Sequence, residues 1–377
     1  MAADLSHATI YHFRHALPEP VPTVMGPMTH RPALLLRLED SEGAHGWGEI
    51  WCNFPPDGDL HRARLARRIL PASLAGMTAD TPDAFGEIMR RMHRLILQCG
   101  EPGPVAQIAS GADIALLDLR ARRAGVSLSN MLGGSARSVP AYASGISPDK
   151  APEQIERMRA FGYRSFKQRI GFGADDGIAA AMATKQSLSS GETLMLDANQ
   201  AWDLETALRQ SRRLEDLDLA WLEEPLCADA PDEAWQSLAH AASMPLAGGE
   251  NLTGAALERS IELGALGVIQ PDICKWGGLS TTLRIARATR SADRRYCPHF
   301  LGAGLGLAAS AHLLAAVGGD GLLEVDSSEN PFVPVFSGRG LALENGAFPI
   351  GTEPGLGFDP DVGAFSDLLS TQEEVAL

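Results

Sequence analysis

The chain has little of what would tie it to a disulfide scaffold, a nucleic acid or a membrane. Its 377 residues include only five cysteines. Cys52, Cys99, Cys227, Cys274 and Cys297 are scattered, odd in number and form no CxxC pair. That argues against a disulfide framework and a thiolate zinc site, and reads Cys274 and Cys297 as small buried hydrophobes. No long basic run offsets a formal charge of −15, so neither nucleic acid nor an anionic membrane surface is an expected partner. No apolar stretch reaches membrane-spanning length, and the opening MAADLSHATIYHFRH lacks an apolar signal segment. A reducing cytoplasm is the expected setting. What the chain does have is a hydrophobic content of 45%, enough for a large core. An anionic substrate would need a locally positive pocket.

A chain of this length accommodates a barrel of about 200 to 250 residues plus a second domain. The first third reads as α+β. HATIYHFRHAL and PALLLRLED are strands flanking a Pro/Gly-rich link from Pro18 to Pro32, and a turn at Ser41–Gly43 leads into GWGEIWC. Helical periodicity runs from about His61 to Leu97. A second helix, marked by Ile108, Ala112, Ala115, Leu116 and Leu119, spans about Val105–Ala124 and stops at Gly125. From Val139 short apolar runs alternate strictly with helical segments such as Ala151–Phe161, Leu204–Leu214 and Leu305–Val317. Repeated βα units imply a parallel sheet with right-handed crossovers that closes into a barrel. After Gly338 the Gly/Pro-rich tail reads as an extended return to the first domain. The expected division is 1–125, 126–338 and 339–377.

The most informative feature is a ladder of polar residues, each closing an apolar run. Its rungs are Lys167 and Arg169 in FKQR, Asp197 in LMLDAN, Glu223 and Glu224 in WLEEP, Glu250 in LAGGE, Asp272 in VIQPD, His299 in YCPHF and Glu324 in LLEVD. From Asp197 onward the steps are roughly 22 to 27 residues, the length of one strand plus one helix. Charged groups at the C-terminal ends of successive parallel strands are how a (β/α)8 barrel builds an active site.

Each rung has a chemistry. One carboxylate alone would be ordinary strand-end solvation. Asp197, Glu223 and Glu250 on three consecutive strands would repel one another unless neutralised, and three oxygen donors without Cys or His suit Mg²⁺, with Mn²⁺ second. Glu224 faces away from its neighbour and reads as a structural contact. Lys167 and Arg169 share a face and would hold a substrate carboxylate beside the metal. Asp272 bonded to one nitrogen of His299 would fix its tautomer and raise the basicity of the other. Glu324 would donate to a developing oxyanion if its pKa is raised. Asp326 shares its face, which leaves open which of the two points inward.

In this order, Lys-x-Arg, Asp-Ala-Asn, Glu-Glu-Pro, Gly-Glu-Asn, Gln-Pro-Asp, Pro-His and Leu-Glu resemble the enolase superfamily, specifically its mandelate racemase subgroup. GWGE, ASGADIALLDL and the MLGG connector extend the resemblance over nearly the whole chain. It implies a (β/α)7β modified TIM barrel with an α+β capping domain built from the N-terminal third and the C-terminal tail. Loops near Met25–His30 and Trp51–Phe54 would close the mouth. It also implies Asp197, Glu223 and Glu250 as Mg²⁺ ligands, Asp272 and His299 as the general-base dyad, and Glu324 as partner of the enediolate. Lys167, Arg169, Asn199, Trp51 and Phe54 would contact substrate. A homo-oligomer acting on a small anionic carboxylate is expected.

One position departs from the racemases, where the second residue of Lys-x-Lys is a base. Arg169 has a pKa above about 12 and is a poor proton acceptor. One-base chemistry through His299 is therefore expected, with dehydration of an acid sugar first and cycloisomerisation of a sugar-acid lactone, or racemisation and epimerisation, as same-fold rivals. Lys275 lies three residues past Asp272, outside the position of a strand-borne base. GLGLAA at 304–309 is a loose match to a dinucleotide fingerprint, so an NAD-dependent oxidoreductase is a competing class. A non-catalytic sugar-acid binder is another, against which the intact dyad speaks.

Overall fold

The computed structural model describes residues 3–171 and 174–377. Two sheets organise it. In the first, β1 (Leu5–Val21), β2 (Met28–Asp40), β3 (His45–Glu49) and the C-terminal β13 (Leu369–Ala376) pair in the order β13-β1-β2-β3, all antiparallel. Three helices, α1 (Gly58–Leu74), α2 (Ala84–Cys99) and α3 (Pro102–Arg123), pack on it around a core that includes Ile10, Leu34, Leu36, Ile69, Ile88 and Ile108. The short α4 (Leu128–Met131) leads out of this unit.

The second sheet is the curled parallel one. Strands β4 (Ser138–Ile146), β5 (Ser165–Arg169), β6 (Thr193–Asp197), β7 (Leu222–Glu223), β8 (Leu246–Gly248), β9 (Val268–Ile269), β10 (Arg295–Tyr296) and β11 (Leu323–Asp326) pair in the order β10-β9-β8-β7-β6-β5-β4-β11. The intervening helices are α5 (Ala151–Ala160), α6 (Ala174–Ser187), α7 (Leu204–Arg213), α8 (Asp232–Ala241), α9 (Gly254–Leu263), α10 (Gly278–Ser291) and α11 (Leu305–Val317). This is the expected barrel of seven βα units and a closing strand. No ladder joins β10 to β11 among the described residues; there the amide of Leu322 donates to Cys297 Sγ at 3.3 Å. No helix among the described residues is long and apolar enough to cross a membrane.

Three local expectations are corrected. The helical span from His61 to Leu97 is two helices, because Gly76 and Pro82 interrupt it and the Asp83 side chain caps α2 by accepting the Gly86 amide at 2.9 Å. The last part of the link, residues 28–32, is instead part of β2, and its beginning, residues 18–21, is part of β1. That end pairs only with β2, so the missing N–H groups of Pro18 and Pro20 can face an unpaired edge. The tail, which follows α12 (Phe332–Phe336), returns to the first sheet as β13 as expected, but on the way β12 (Ala347–Pro349) pairs antiparallel with β4.

The GWGE turn joins the two halves. A Cβ on Gly48 would stand 2.0 Å from the Gly111 carbonyl oxygen, and one on Gly46 2.2 Å from that of Ala115. Only glycine lets β3 lie this close to α3. Glu49 is thereby carried to the start of α11, where its carboxylate accepts the amides of Ala303 (2.5 Å), Gly304 (3.1 Å) and Gly306 (2.8 Å). The glycines of GLGLAA therefore present their N–H groups to a side chain of the chain itself, at a helix N-terminus that favours an anion.

At the other end of α11 a buried histidine makes stability pH-dependent. His312 Nδ1 accepts the Ser129 amide at 3.1 Å and Nε2 donates to the Leu356 carbonyl at 3.2 Å, which specifies the neutral ring. Burial pushes its pKa down to about 4. An unfolded histidine titrates near 6.5, so the unfolded state binds the extra proton first and stability falls as pH drops from about 6.5 towards 4. The loss attributable to this group is at most about 3 kcal/mol. Urea melts at pH 7 and pH 5 should show it, and His312→Gln should flatten that part of the profile.

Candidate active site

Arg169, Asp197 and Glu223 end β5, β6 and β7, Lys167 and Glu324 lie within β5 and β11, and Glu250, Asp272 and His299 follow the ends of β8, β9 and β10; register sets the heights of the first three. Arg169 pairs with Asp197 and Asp197 with Glu223, so three rungs form one row across β5, β6 and β7. Side chains alternate along a strand, so the residue two earlier points the same way. Those positions are Met195 beneath Asp197, Trp221 beneath Glu223 and Cys297 beneath His299. They join Tyr142, Ala247 and Val268 in an apolar plug with Leu322 packed against it. The plug seals the barrel under the polar layer.

Above it lies a cavity of about 410 Å³ lined by Lys167, Arg169, Asp197, Asn199, Glu250, Lys275, His299, Glu324 and Asp326. Its roof comes from the capping unit: Val24, Met25 and Met28 from one loop, Trp51 and Phe54 from another. A larger cavity of about 780 Å³ lies between α8 and α9. The mouth cavity is the candidate chemical site, because the charged rungs converge there and the larger one holds none of the basic or imidazole groups of the ladder.

The charges are tightly interleaved. Lys167 is buried, hydrogen-bonds Glu223, and lies 2.8 Å from Glu324 Oε1 and 3.8 Å from Asp197 Oδ2. Burial opposes its charge, yet Glu223 and Glu324 outweigh that and hold its pKa well above the lysine range. Glu223 also accepts from Trp221 Nε1 (3.0 Å) and Gln270 Nε2 (2.6 Å). Arg169 donates to Ser147 Oγ at 2.9 Å, and burial lowers its pKa from the ordinary guanidinium value. Asn199 lines the cavity but spends its amide on the neighbouring rung: backbone N and Nδ2 each donate to Asp197, both at 2.8 Å.

His299 Nδ1 stands 2.8 Å from Asp272 Oδ2, and the Cys274 amide donates to Asp272 Oδ1 at 2.8 Å. Nε2 of His299 therefore points the other way, 3.3 Å from Glu250 Oε2. Burial disfavours the charged ring, but Glu250, Glu324 and Asp272 together raise its pKa to about 10. Glu250 is correspondingly low, because His299 and Lys275 outweigh its desolvation. Asp197 is raised by burial and by Glu223 beside it, and Glu224 is raised by burial, Glu250 and Asp197.

Glu324 and Asp326 both face the cavity, which answers the question left open between them. Burial would raise the pKa of Glu324, but Lys167 and His299 lower it. Glu224 is a structural contact as expected, with both oxygens 3.0 Å from Asn251 Nδ2. Sequence reasoning set aside Lys275 and missed Arg31. Lys275 Nζ reaches Glu250 Oε2 (2.7 Å) and Asn251 Oδ1 (2.8 Å) and lies 4.8 Å over the Trp51 ring. Arg31 enters from β2, its Nη1 3.5 Å from Asp326 Oδ2.

Comparison with known proteins gives the family and the fold. The mandelate racemase/muconate lactonizing enzyme N-terminal domain matches residues 7–133, and the enolase C-terminal domain-like profile matches residues 150–364. The chain belongs to the mandelate racemase/muconate lactonizing enzyme family. It is an enzyme of the enolase superfamily. Its curated relatives include D-galactarolactone cycloisomerase of Agrobacterium fabrum, 29% identical over 94% of this chain and 95% of that one. Another is L-talarate/galactarate dehydratase of Salmonella typhimurium, 33% identical over 88% of this chain and 81% of the relative. Among solved structures, a mandelate racemase/muconate lactonizing enzyme from Bordetella bronchiseptica RB50 is 45% identical, with TM-score 0.89 over 98% of this chain and all of that one. L-Talarate dehydratase from Polaromonas sp. JS666, solved with Mg and L-glucarate, is 27% identical with TM-score 0.85 over the full length of both chains.

Proposed function

We propose that this family member abstracts the α-proton of an acid sugar through His299 and eliminates the β-hydroxyl as water. The observation that carries the reading is the His299–Asp272 hydrogen bond at 2.8 Å, with Nε2 aimed into the charged cavity.

A divalent cation fits the residues present. Asp197 and Glu223 are paired on adjacent strands, Glu250 lines the same cavity as Asp197, and burial with Glu223 beside it raises the pKa of Asp197. Asp197, Glu223 and Glu250 would hold Mg²⁺, or Mn²⁺, which when bound supplies positive charge to the substrate carboxylate and stabilises the enediolate. Lys167 adds a second, permanent cation on the same side. Arg169 orients the carboxylate and moves no proton.

His299 then takes the α-proton. With Glu250 engaged by a cation, the imidazole would lose the neighbour that favours its charged form, and Asp272 keeps Nδ1–H in place so that Nε2 is the basic atom. The α-carbon electrons expel the β-hydroxyl, which leaves as water with the proton carried by His299. The resulting enol tautomerises to a 2-keto-3-deoxy acid. Arg169 stands where the racemases have a lysine, and a guanidinium is a poor second base. The 29% identity to a galactarolactone cycloisomerase supports one rival, intramolecular ring closure or opening on the same enolate.

The test is a panel of acid sugars and their lactones with Mg²⁺ in D₂O, following α-proton exchange and product by NMR. Dehydration should give α-exchange and a 2-keto-3-deoxy acid. An isomeric ring product would identify the cycloisomerase, and efficient racemisation of a simple 2-hydroxy acid would sink the one-base reading.

A further inference from the structure

The cavity carries two buried polar atoms without a hydrogen-bond partner, one acceptor and one donor: Asp326 Oδ2 and Trp51 Nε1. Both side chains are more than nine-tenths buried, at 4% and 8% exposure. A buried polar atom left unmade is costly, by more than a made bond gains. Two of them on side chains that line one cavity point to a ligand that completes them.

The surroundings of Asp326 define what it can take. Oδ1 is saturated by Ser328, whose backbone amide donates at 2.9 Å and whose hydroxyl also donates. Oδ2 has only the Arg31 Nη1 ion pair at 3.5 Å. Arg31 is itself committed, Nε donating to the Glu329 carbonyl at 3.2 Å and Nη2 to Ser328 Oγ at 2.5 Å. The guanidinium thus fixes the Asp326 carboxylate and does not offer a fork to a substrate anion. A carboxylate brought against Oδ2 would meet like charge, whereas a hydroxyl would donate to it.

The height of Asp326 says which hydroxyl. It lies two residues beyond Glu324 on β11, about 7 Å nearer the mouth. Glu324 shares Lys167 with the reacting layer. A group reading the substrate one pleat above that layer meets atoms a few bonds beyond the α- and β-carbons.

The geometry points to Asp326 as a specificity-determining residue that accepts a hydroxyl of the substrate beyond its β-carbon, with Trp51 Nε1 donating to the substrate as the complementary contact. The substrate class is then a polyhydroxy acid longer than three carbons. The inference rests on the α-proton chemistry proposed above.

The experiment measures Mg²⁺-dependent α-proton exchange in D₂O for wild type, Asp326→Asn and Asp326→Ala. The probes are six-carbon aldonates and aldarates, with glycerate as the three-carbon comparison. Each variant's melting temperature and Mg²⁺ binding establish that it folds and keeps its charged layer. For the best six-carbon acid, kcat/KM should fall about 10- to 100-fold in both variants, mostly through KM. The loss on glycerate should be at least tenfold smaller. Equal losses on long and short acids would overturn the inference, as would unchanged long-acid kinetics or a wild type that prefers glycerate. A wild type that exchanges none of these acids removes the α-proton reading itself, and the inference with it. Trp51→Phe, which deletes the N–H and keeps the ring, should also raise KM for the long acids; unchanged kinetics there would remove Trp51 from the assignment.

Discussion

His299→Asn should reduce α-proton exchange by roughly 10³- to 10⁴-fold while Mg²⁺ binding persists, because asparagine fills the same space but cannot accept the proton. The size of the loss follows from the lack of a substitute. Lys167 is held charged by Glu223 and Glu324. Arg169 keeps a guanidinium pKa far above neutrality despite its burial. Lys275 is also raised, because Glu250 and Asp272 outweigh its desolvation. Without metal, the neighbouring carboxylates hold both lysines in the charged form. Asp272→Asn should be less damaging, since the ring remains and only its tautomer and orientation are released. Exchange that survives intact in His299→Asn would mean the proton leaves through another group, and the dyad would lose its role.

How much of this was legible in the chain depended on the range of the interaction. Strand and helix periods are local, so the alternation after Val139 and the long helix of the first third could be read directly. The rungs were legible for the same reason: a polar residue ending an apolar run needs only its neighbours in sequence to be noticed. Strands as short as β9 and β10 carry little signal of their own, and their places follow from the repeat. Glu49 shows what was out of reach. Its motif was visible, but its partners, the amides of Ala303, Gly304 and Gly306, lie more than 250 residues away. The same amides made GLGLAA resemble a phosphate loop. Arg31 and Lys275 were obscured because one enters from another sheet and the other sits on a loop beyond its strand. The charge state of Glu324 was a still later property. It depends on Lys167 and His299 together, and no local pattern contains that sum.

Chelation should abolish activity, by at least about 10⁴-fold, and Mg²⁺ should restore it. No three carboxylate, imidazole or thiol groups among the described residues already stand as a coordination shell. Lys167 is bonded to Glu223 and Lys275 to Glu250, so these lysines occupy the carboxylates that a cation would claim. Mg²⁺ held by Asp197, Glu223 and Glu250 would compete with these lysines for the carboxylates, and the released ammonium groups would face the substrate carboxylate. This exchange makes a second readout available. Mg²⁺ at 100 times its dissociation constant should stabilise the folded chain by about 2.7 kcal/mol, seen as a raised melting temperature. Asp197→Asn should lose most of that gain together with activity, while its own melting temperature without metal should hold or rise, since a repelling charge beside Glu223 has been removed. Calcium, which prefers more oxygens and longer bonds, should restore less activity than Mg²⁺. Full turnover in enzyme stripped to substoichiometric metal would overturn the assignment of Asp197, Glu223 and Glu250. A melting gain from Mg²⁺ that Asp197→Asn leaves untouched would place the ion elsewhere.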